Sequence, residues 1–120
     1  MILVCEDHDD LRRLIVAVLE RAGLRAESVA DGETALIAMH LEPPQLLVLD
    51  LMLPSKSGWD VRKEMLKSAR LRRIPVIVAT GVHARDLRVD ELKVAQVMNK
   101  PLCGEDLVAA VRRHMLPEAS

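Results

Sequence analysis

Asp50 closes an uninterrupted apolar run, Leu46-Leu47-Val48-Leu49, and opens a turn rich in Pro, Ser and Gly that extends through Met52, Pro54 and Ser57 to Gly58. A carboxylate at the end of a buried run is costly to desolvate unless a cation or hydrogen-bond donors meet it. The chain offers such groups elsewhere. Glu6 and Asp7 close the run Ile2-Leu3-Val4-Cys5, Thr80 closes the run from Pro75 to Ala79, and Lys100 follows the run from Ala95 to Met98 by way of Asn99. Three carboxylates and one ammonium have the composition of a hard-cation site; Mg²⁺ is typically held by one or two carboxylates together with waters and phosphate oxygens. Two carboxylates about 4 Å apart repel by roughly 4 kcal/mol at an effective dielectric of 20, so such a cluster calls for a divalent ion or a raised pKa. The chemistry favoured is phosphoryl transfer to a carboxylate. Asp50 would be the nucleophile and form an aspartyl-phosphate. Mg²⁺ and Lys100 would neutralise the transferring group, and the Thr80 hydroxyl would donate to a phosphoryl oxygen present only after transfer.

These residues share a site only if the runs that carry them are neighbouring strands. Apolar runs without alternation suit strands buried on both faces of a parallel sheet. Strands are expected over residues 2–5, 25–29, 45–49, 75–79 and 95–98, each followed by a helical stretch. The first helix begins at Asp9, with Leu11, Leu14, Ile15, Val18, Leu19 and Ala22 as its apolar stripe and Gly23 as its C-terminal glycine. The second runs from about Glu33 to His40 and is stopped by Pro43-Pro44. The third begins near Gly58, with Val61, Met65, Leu66 and Ala69 inward. A short charged helix is expected around residues 85–93, and a last one from Gly104 to Met115. Arg70-Leu71-Arg72-Arg73 reads as a solvated connector. Strands alternating with helices imply right-handed crossovers and a parallel sheet covered on both faces. In such a doubly wound sheet the first and third strands flank the point where ligands bind, so Glu6, Asp7 and Asp50 converge there.

Composition narrows the function. At 120 residues, 50% hydrophobic and 29% charged, the chain is expected to be one globular domain over residues 1–120, with a short tail from Pro117. A net charge of −1 gives no field for nucleic acid. Trp59 is the sole aromatic, so base stacking has no platform. No apolar run is long enough to span a membrane, and acids follow the first strand too soon for a signal peptide. Cys5 and Cys103 form neither a metal-ligand spacing nor a disulfide framework, in keeping with reduced thiols and a cytoplasmic location. The four histidines share no ligand spacing and read as surface residues, the methionines as core filler. Asp9 and Asp10 read as acids matched to the start of the first helix.

Over essentially its whole length the chain resembles the receiver domain of two-component response regulators. Glu6-Asp7 corresponds to the family's acidic pair, Asp50 to its phosphoacceptor, Thr80 to its switch hydroxyl and Lys100-Pro101 to its Lys-Pro pair; Asp50 through Pro54 to Ser57-Gly58 is the most recognisable segment. The resemblance implies a flavodoxin-like (βα)5 sheet of order 2-1-3-4-5 and a cis peptide bond before Pro101. It implies Mg²⁺ held by Glu6, Asp7, Asp50 and the Met52 backbone carbonyl. It also implies a phosphohistidine donor on a sensor histidine kinase or histidine phosphotransfer protein, and a downstream target protein. The only reactions catalysed would be the domain's own phosphorylation and dephosphorylation. The family's output face, formed by its fourth helix, fifth strand and fifth helix, would be where a weak dimer forms.

Two features depart from the pattern. Val97 stands three residues before the lysine, where the family usually has Tyr or Phe as a rotamer switch. The segment from Thr80 to Lys100 is slightly short and lacks the glycine generally found before the fifth strand. Among rivals, an aspartyl-phosphate-forming phosphatase often places an acid two residues after its nucleophile, and Met52 is there instead. A flavodoxin-like cofactor binder would need a phosphate-cradling loop after the first strand, where this chain has Glu6-Asp7-His8-Asp9-Asp10. A purely structural pseudo-receiver would not need the full polar set. Met1 just before the first strand favours a stand-alone regulator; a receiver module at either end of a larger response regulator or hybrid kinase is the alternative.

Overall fold

The computed structural model describes residues 1–81 and 89–118. Five strands, β1 (Ile2–Cys5), β2 (Ala26–Val29), β3 (Leu46–Leu49), β4 (Val76–Thr80) and β5 (Gln96–Asn99), alternate with helices α1 (Asp9–Arg21), α2 (Gly32–Leu41), α3 (Gly58–Lys67) and α4 (Gly104–His114). A 3₁₀ turn, Val89–Leu92, precedes β5. All strand pairs are parallel and the sheet order is β2-β1-β3-β4-β5. This is the flavodoxin-like doubly wound sheet. The order reverses between β1 and β3, which leaves the crevice at the carboxyl ends of those two strands.

The unbroken apolar runs have a direct cause. Leu3, Cys5, Leu47, Leu49, Val76 and Val78 face the core shared with α2 and α3. The alternate residues Ile2, Val4, Leu46, Val48, Ile77 and Ala79 face the core shared with α1 and α4. Both faces of the central strands are covered, so no position is left for a polar residue until the strand ends.

Local signals set the helix ends. Gly23 adopts φ +86° just past the end of α1. There its N–H donates to the Glu20 carbonyl and that of Leu24 to the Leu19 carbonyl, a pair of bonds that satisfies carbonyls the helix leaves open. Asp31 caps α2 by accepting from the Thr34 N–H at 2.8 Å, and Ser57 caps α3 by accepting from Asp60 at 3.2 Å.

Several expectations need correction. Leu14 lies outside the α1 stripe and is 58% exposed, while Val16 packs against the core in its place. The acids Asp9 and Asp10 sit in the first turn, but the cap itself is His8, which accepts from Leu11 N–H. α3 ends at Lys67, so Ala69 is outside it and exposed; the buried fourth position is Arg62. The basic connector is solvated at its arginines, yet Leu71 within it is fully buried and anchors it to the core. Met39 and Met65 are core residues as expected, whereas Met52 is 65% exposed. Of the short helix expected at 85–93, residues 85–88 fall outside the described residues, and 89–92 form the 3₁₀ turn.

Candidate functional site

Backbone pairing carries the sheet one residue past the strand ends and brings the polar residues with it. The N–H of Glu6 donates to the Val29 carbonyl at 3.1 Å, that of Asp50 to the Cys5 carbonyl at 3.1 Å, and that of Lys100 to the Thr80 carbonyl at 2.8 Å. Cys5 is registered with Leu49, so Glu6 and Asp50 emerge side by side. On the other flank Thr80, fully buried, is registered with Asn99, the residue before Lys100.

Glu6 and Asp50 are themselves buried, at 2% and 5% exposure, while Asp7 is exposed. Carboxylate oxygens of the three lie within 4.8 Å of one another. Lys100 Nζ reaches Glu6 Oε1 at 2.5 Å and Asp50 Oδ2 at 3.3 Å. The Met52 N–H donates to Asp50 Oδ1 at 3.0 Å, and the His8 N–H to Glu6 Oε2 at 3.3 Å. Asp50 is therefore held from both sides, by a lysine and by its own turn.

The electrostatics follow from this crowding. Burial pushes the Glu6 carboxyl up and the Asp50 charge adds to it, while the hydrogen bond from Lys100 pulls it back; the net direction is upward. Burial pulls Lys100 down, but its hydrogen bond to Glu6 and the charge of Asp50 outweigh it, and its pKa is raised. Cys5, directly before Glu6, is pushed to about 12 by burial and then by the surrounding acids. Its neutral thiol donates to the Asp31 carbonyl at 3.5 Å, so it behaves as a small core residue.

The donor set suits a hard cation. Three carboxylates whose oxygens lie within 4.8 Å of one another are the oxygen ligands a hard divalent cation would take. A cation there would offset the charge that one lysine leaves uncompensated. The turn after Asp50 is shaped to keep this arrangement. Gly58, at the first position of α3, donates its N–H to the Leu51 carbonyl at 3.0 Å. A Cβ on it would fall 2.3 Å from the Asp50 carbonyl oxygen and 2.7 Å from Leu51 Cα. Only glycine allows the helix to start this close to the carboxylate's own backbone.

Residues 2–112 match the family described as the response regulator receiver domain. The chain belongs to that family. Among curated relatives, the sensory transduction protein RegX3 of Mycolicibacterium smegmatis is 33% identical over 116 residues, 92% of this receiver and 48% of that protein. The receiver thus spans about half the length of the curated relatives it matches. These relatives are response regulators, proteins of two-component signalling. Among solved structures, a sensor protein from Polaromonas superposes with a TM-score of 0.88 at 26% identity, over 94% of this chain and 93% of that one. The receiver domain of a sensor histidine kinase from Pseudomonas aeruginosa PAO1, with a magnesium ion coordinated in its active site cleft, gives a TM-score of 0.86 over 94% of each chain. Its identity is 24%, so it speaks to the fold alone.

The receiver's expected site residues fall into two groups. Glu6, Asp7, Asp50 and Lys100 form one cluster, and Thr80 completes the neighbouring strand. The Lys100–Pro101 peptide is cis. Val97 is half-buried in β5 against the α2 and α3 core. Sequence reasoning missed Arg12, whose Nη1 donates to the Glu6 carbonyl at 3.0 Å and whose Nη2 pairs with Asp9 at 2.7 Å. It ties α1 to the acidic loop; its place one turn after His8 was the available signal. Among the described residues no helix is long and apolar enough to cross a membrane.

Proposed function

We propose that this receiver accepts a phosphoryl group on Asp50 and thereby switches its binding to a downstream target protein. The reading rests on one observation above all: Glu6, Asp7 and Asp50 converge within 4.8 Å, with the Lys100 ammonium touching two of them. In the reaction, an Asp50 carboxylate oxygen attacks the phosphorus of a phosphohistidine. The oxygen–phosphorus bond forms, the nitrogen–phosphorus bond breaks, and the electron pair returns to the imidazole. The donor is a sensor histidine kinase or a histidine phosphotransfer protein.

Lys100 neutralises charge on the transferring group and holds Asp50 in place before it arrives. The Met52 N–H fixes the orientation of the carboxylate. Thr80 donates to the phosphoryl group once it is bound, and carries its presence to the output face. Glu6, Asp7, Asp50 and the Met52 backbone carbonyl would hold Mg²⁺, which supplies charge neutralisation for the phosphoryl oxygens. The domain turns over no separate substrate: its chemistry is its own phosphorylation and dephosphorylation, in the cytoplasm. The same reading holds whether it acts alone or as one module of a longer regulator. Incubation with acetyl phosphate tests it. Intact mass should rise by one phosphoryl group with Mg²⁺ present and stay unchanged in chelator; modification independent of Mg²⁺ would count against the metal assignment.

A further inference from the structure

Arg62 is the one buried side chain of α3 that carries a charge, at 4% exposure. Among the described residues its guanidinium meets carbonyls instead of a carboxylate. Nε donates to the Leu92 carbonyl at 2.8 Å, Nη2 to the Lys93 carbonyl at 3.0 Å and Nη1 to the Ile74 carbonyl at 3.5 Å. Burying a cation without an anion is expensive. The fork of an arginine can nevertheless satisfy several carbonyls in a fixed geometry, which a lysine cannot do.

The two shorter bonds fall on either side of Lys93. That residue is in the left-handed region, φ 50°, where a glycine would sit without strain and a lysine does not. The Leu92 carbonyl belongs to the peptide plane before Lys93, and the Lys93 carbonyl to the plane after it. The relative orientation of those two planes is what φ and ψ of Lys93 describe. Arg62 therefore grips both halves of the strained residue. Ala95 then enters the sheet through its N–H bond to the Val76 carbonyl at 2.8 Å, and β5 follows.

The other end of the connection is the site. Arg62 lies four residues after Gly58, one helical turn away on the same face. Gly58 is packed against the Asp50 carbonyl with no room for a Cβ. We propose that Arg62 is a positioning residue that fixes the left-handed turn before β5 and carries the state of the phosphoacceptor loop to that strand. Asp50, Gly58, Arg62, Lys93 and β5 form a continuous mechanical path that needs no aromatic ring at position 97. The transmission half of this statement rests on the phosphoacceptor reading; the fixing of the turn does not.

The first test is a double-mutant cycle between Arg62→Met and Lys93→Gly, read by chemical denaturation of the full chain. The midpoint should fall with Arg62→Met in the lysine background and fall by less in the glycine background, where the turn holds itself. Strictly additive losses would overturn the pin. If Arg62→Met does not fold, Arg62→Lys takes its place in the cycle.

The second test follows amide chemical shifts on adding Mg²⁺ with beryllofluoride. In the wild type, residues 50–58 and 92–99 should both respond. In the Arg62 variant, 50–58 should respond as before while 92–99 lose most of their response. An undiminished response at 92–99 would overturn the transmission. Silence at 50–58 in the wild type would count against the phosphoacceptor reading itself, and the denaturation cycle then decides on Arg62 by itself.

Discussion

The β3 side and the β5 side of the sheet meet different backbone demands, a lack of room for a Cβ at Gly58 and a positive φ at Lys93, by different means. On the β1 and β3 flank both strands are buried over their whole length, and the close approach of α3 to Asp50 is met by a glycine, Gly58. On the β5 flank the strand is half-buried with Asn99 exposed. The turn that feeds it adopts a glycine-like conformation at a lysine, held by a side chain thirty-one positions away in sequence. On the first flank a local residue choice fixes the geometry. On the second, a long-range contact does. The first arrangement leaves no room for a Cβ at Gly58; the second depends on hydrogen bonds from a single side chain, Arg62.

The largest effect expected from breaking this contrast is at Gly58. Gly58→Ala drives a methyl into the Asp50 carbonyl and the Leu51 backbone. It should cost about 3 kcal/mol or more, measured by denaturant unfolding, and should lower the rate of modification by acetyl phosphate. A loss under about 1 kcal/mol would show that the helix start can shift away from Asp50 at little cost.

Next is the charge crowding. Asp50→Asn removes one of three clustered anions but also part of the attraction to Lys100. The balance should stabilise the metal-free protein by about 1–2 kcal/mol. Mg²⁺ should then raise the melting temperature of the wild type more than that of the variant. Equal shifts would remove Asp50 from the metal site.

On the β5 flank, Val97→Ala should cost about 1 kcal/mol of packing. It should leave both phosphorylation and its coupling to partners nearly intact, since Val97 has a single stiff χ angle and no ring to bury or expose. Thr80→Ala should keep phosphorylation at Asp50 and weaken phosphorylation-dependent partner binding. If Val97→Ala uncouples the switch while Thr80→Ala does not, the route through β4 is wrong.

The smallest effect is a slope with pH. Burial, with Asp50 adding to it, raises Glu6 above its ordinary 4.5. A carboxyl with a raised folded-state pKa contributes most to stability below its unfolded pKa, and that contribution is lost as pH climbs through the folded value. Metal-free protein should therefore lose stability as pH rises above 4.5, and Glu6→Gln should flatten that slope in a chelator-treated urea series. A slope unchanged by the substitution would show that other groups carry it.

How much of this was legible in the sequence follows the same division. Apolar runs located β1 at the residues observed and β3 to within one residue, because a strand buried on both faces admits no polar residue before its end. Glu6, Asp50 and Thr80 were legible because each stands where an apolar run stops, with Asp7 and Lys100 one residue further on. Helical faces were less readable. Leu14 fits the stripe by spacing, yet it stays exposed. Leu71 hides among arginines because one apolar residue in a turn gives no period to detect. Arg62 could not be found at all, since its role depends on carbonyls contributed by residues 74, 92 and 93. Val97 and the missing glycine marked the β5 flank as unusual without saying what replaced them.

The central claim is that Asp50 is the phosphoacceptor. Its most direct test is to treat wild type with acetyl phosphate and Mg²⁺, reduce the product with borohydride, and locate the modified residue by peptide mass spectrometry, with Asp50→Asn in parallel. An acyl phosphate is reduced to an alcohol, so the change marks the residue that carried the phosphoryl group. The account predicts one reduced side chain, at position 50, and none in the variant. Modification elsewhere in the wild type, or persistent modification in Asp50→Asn, would contradict it.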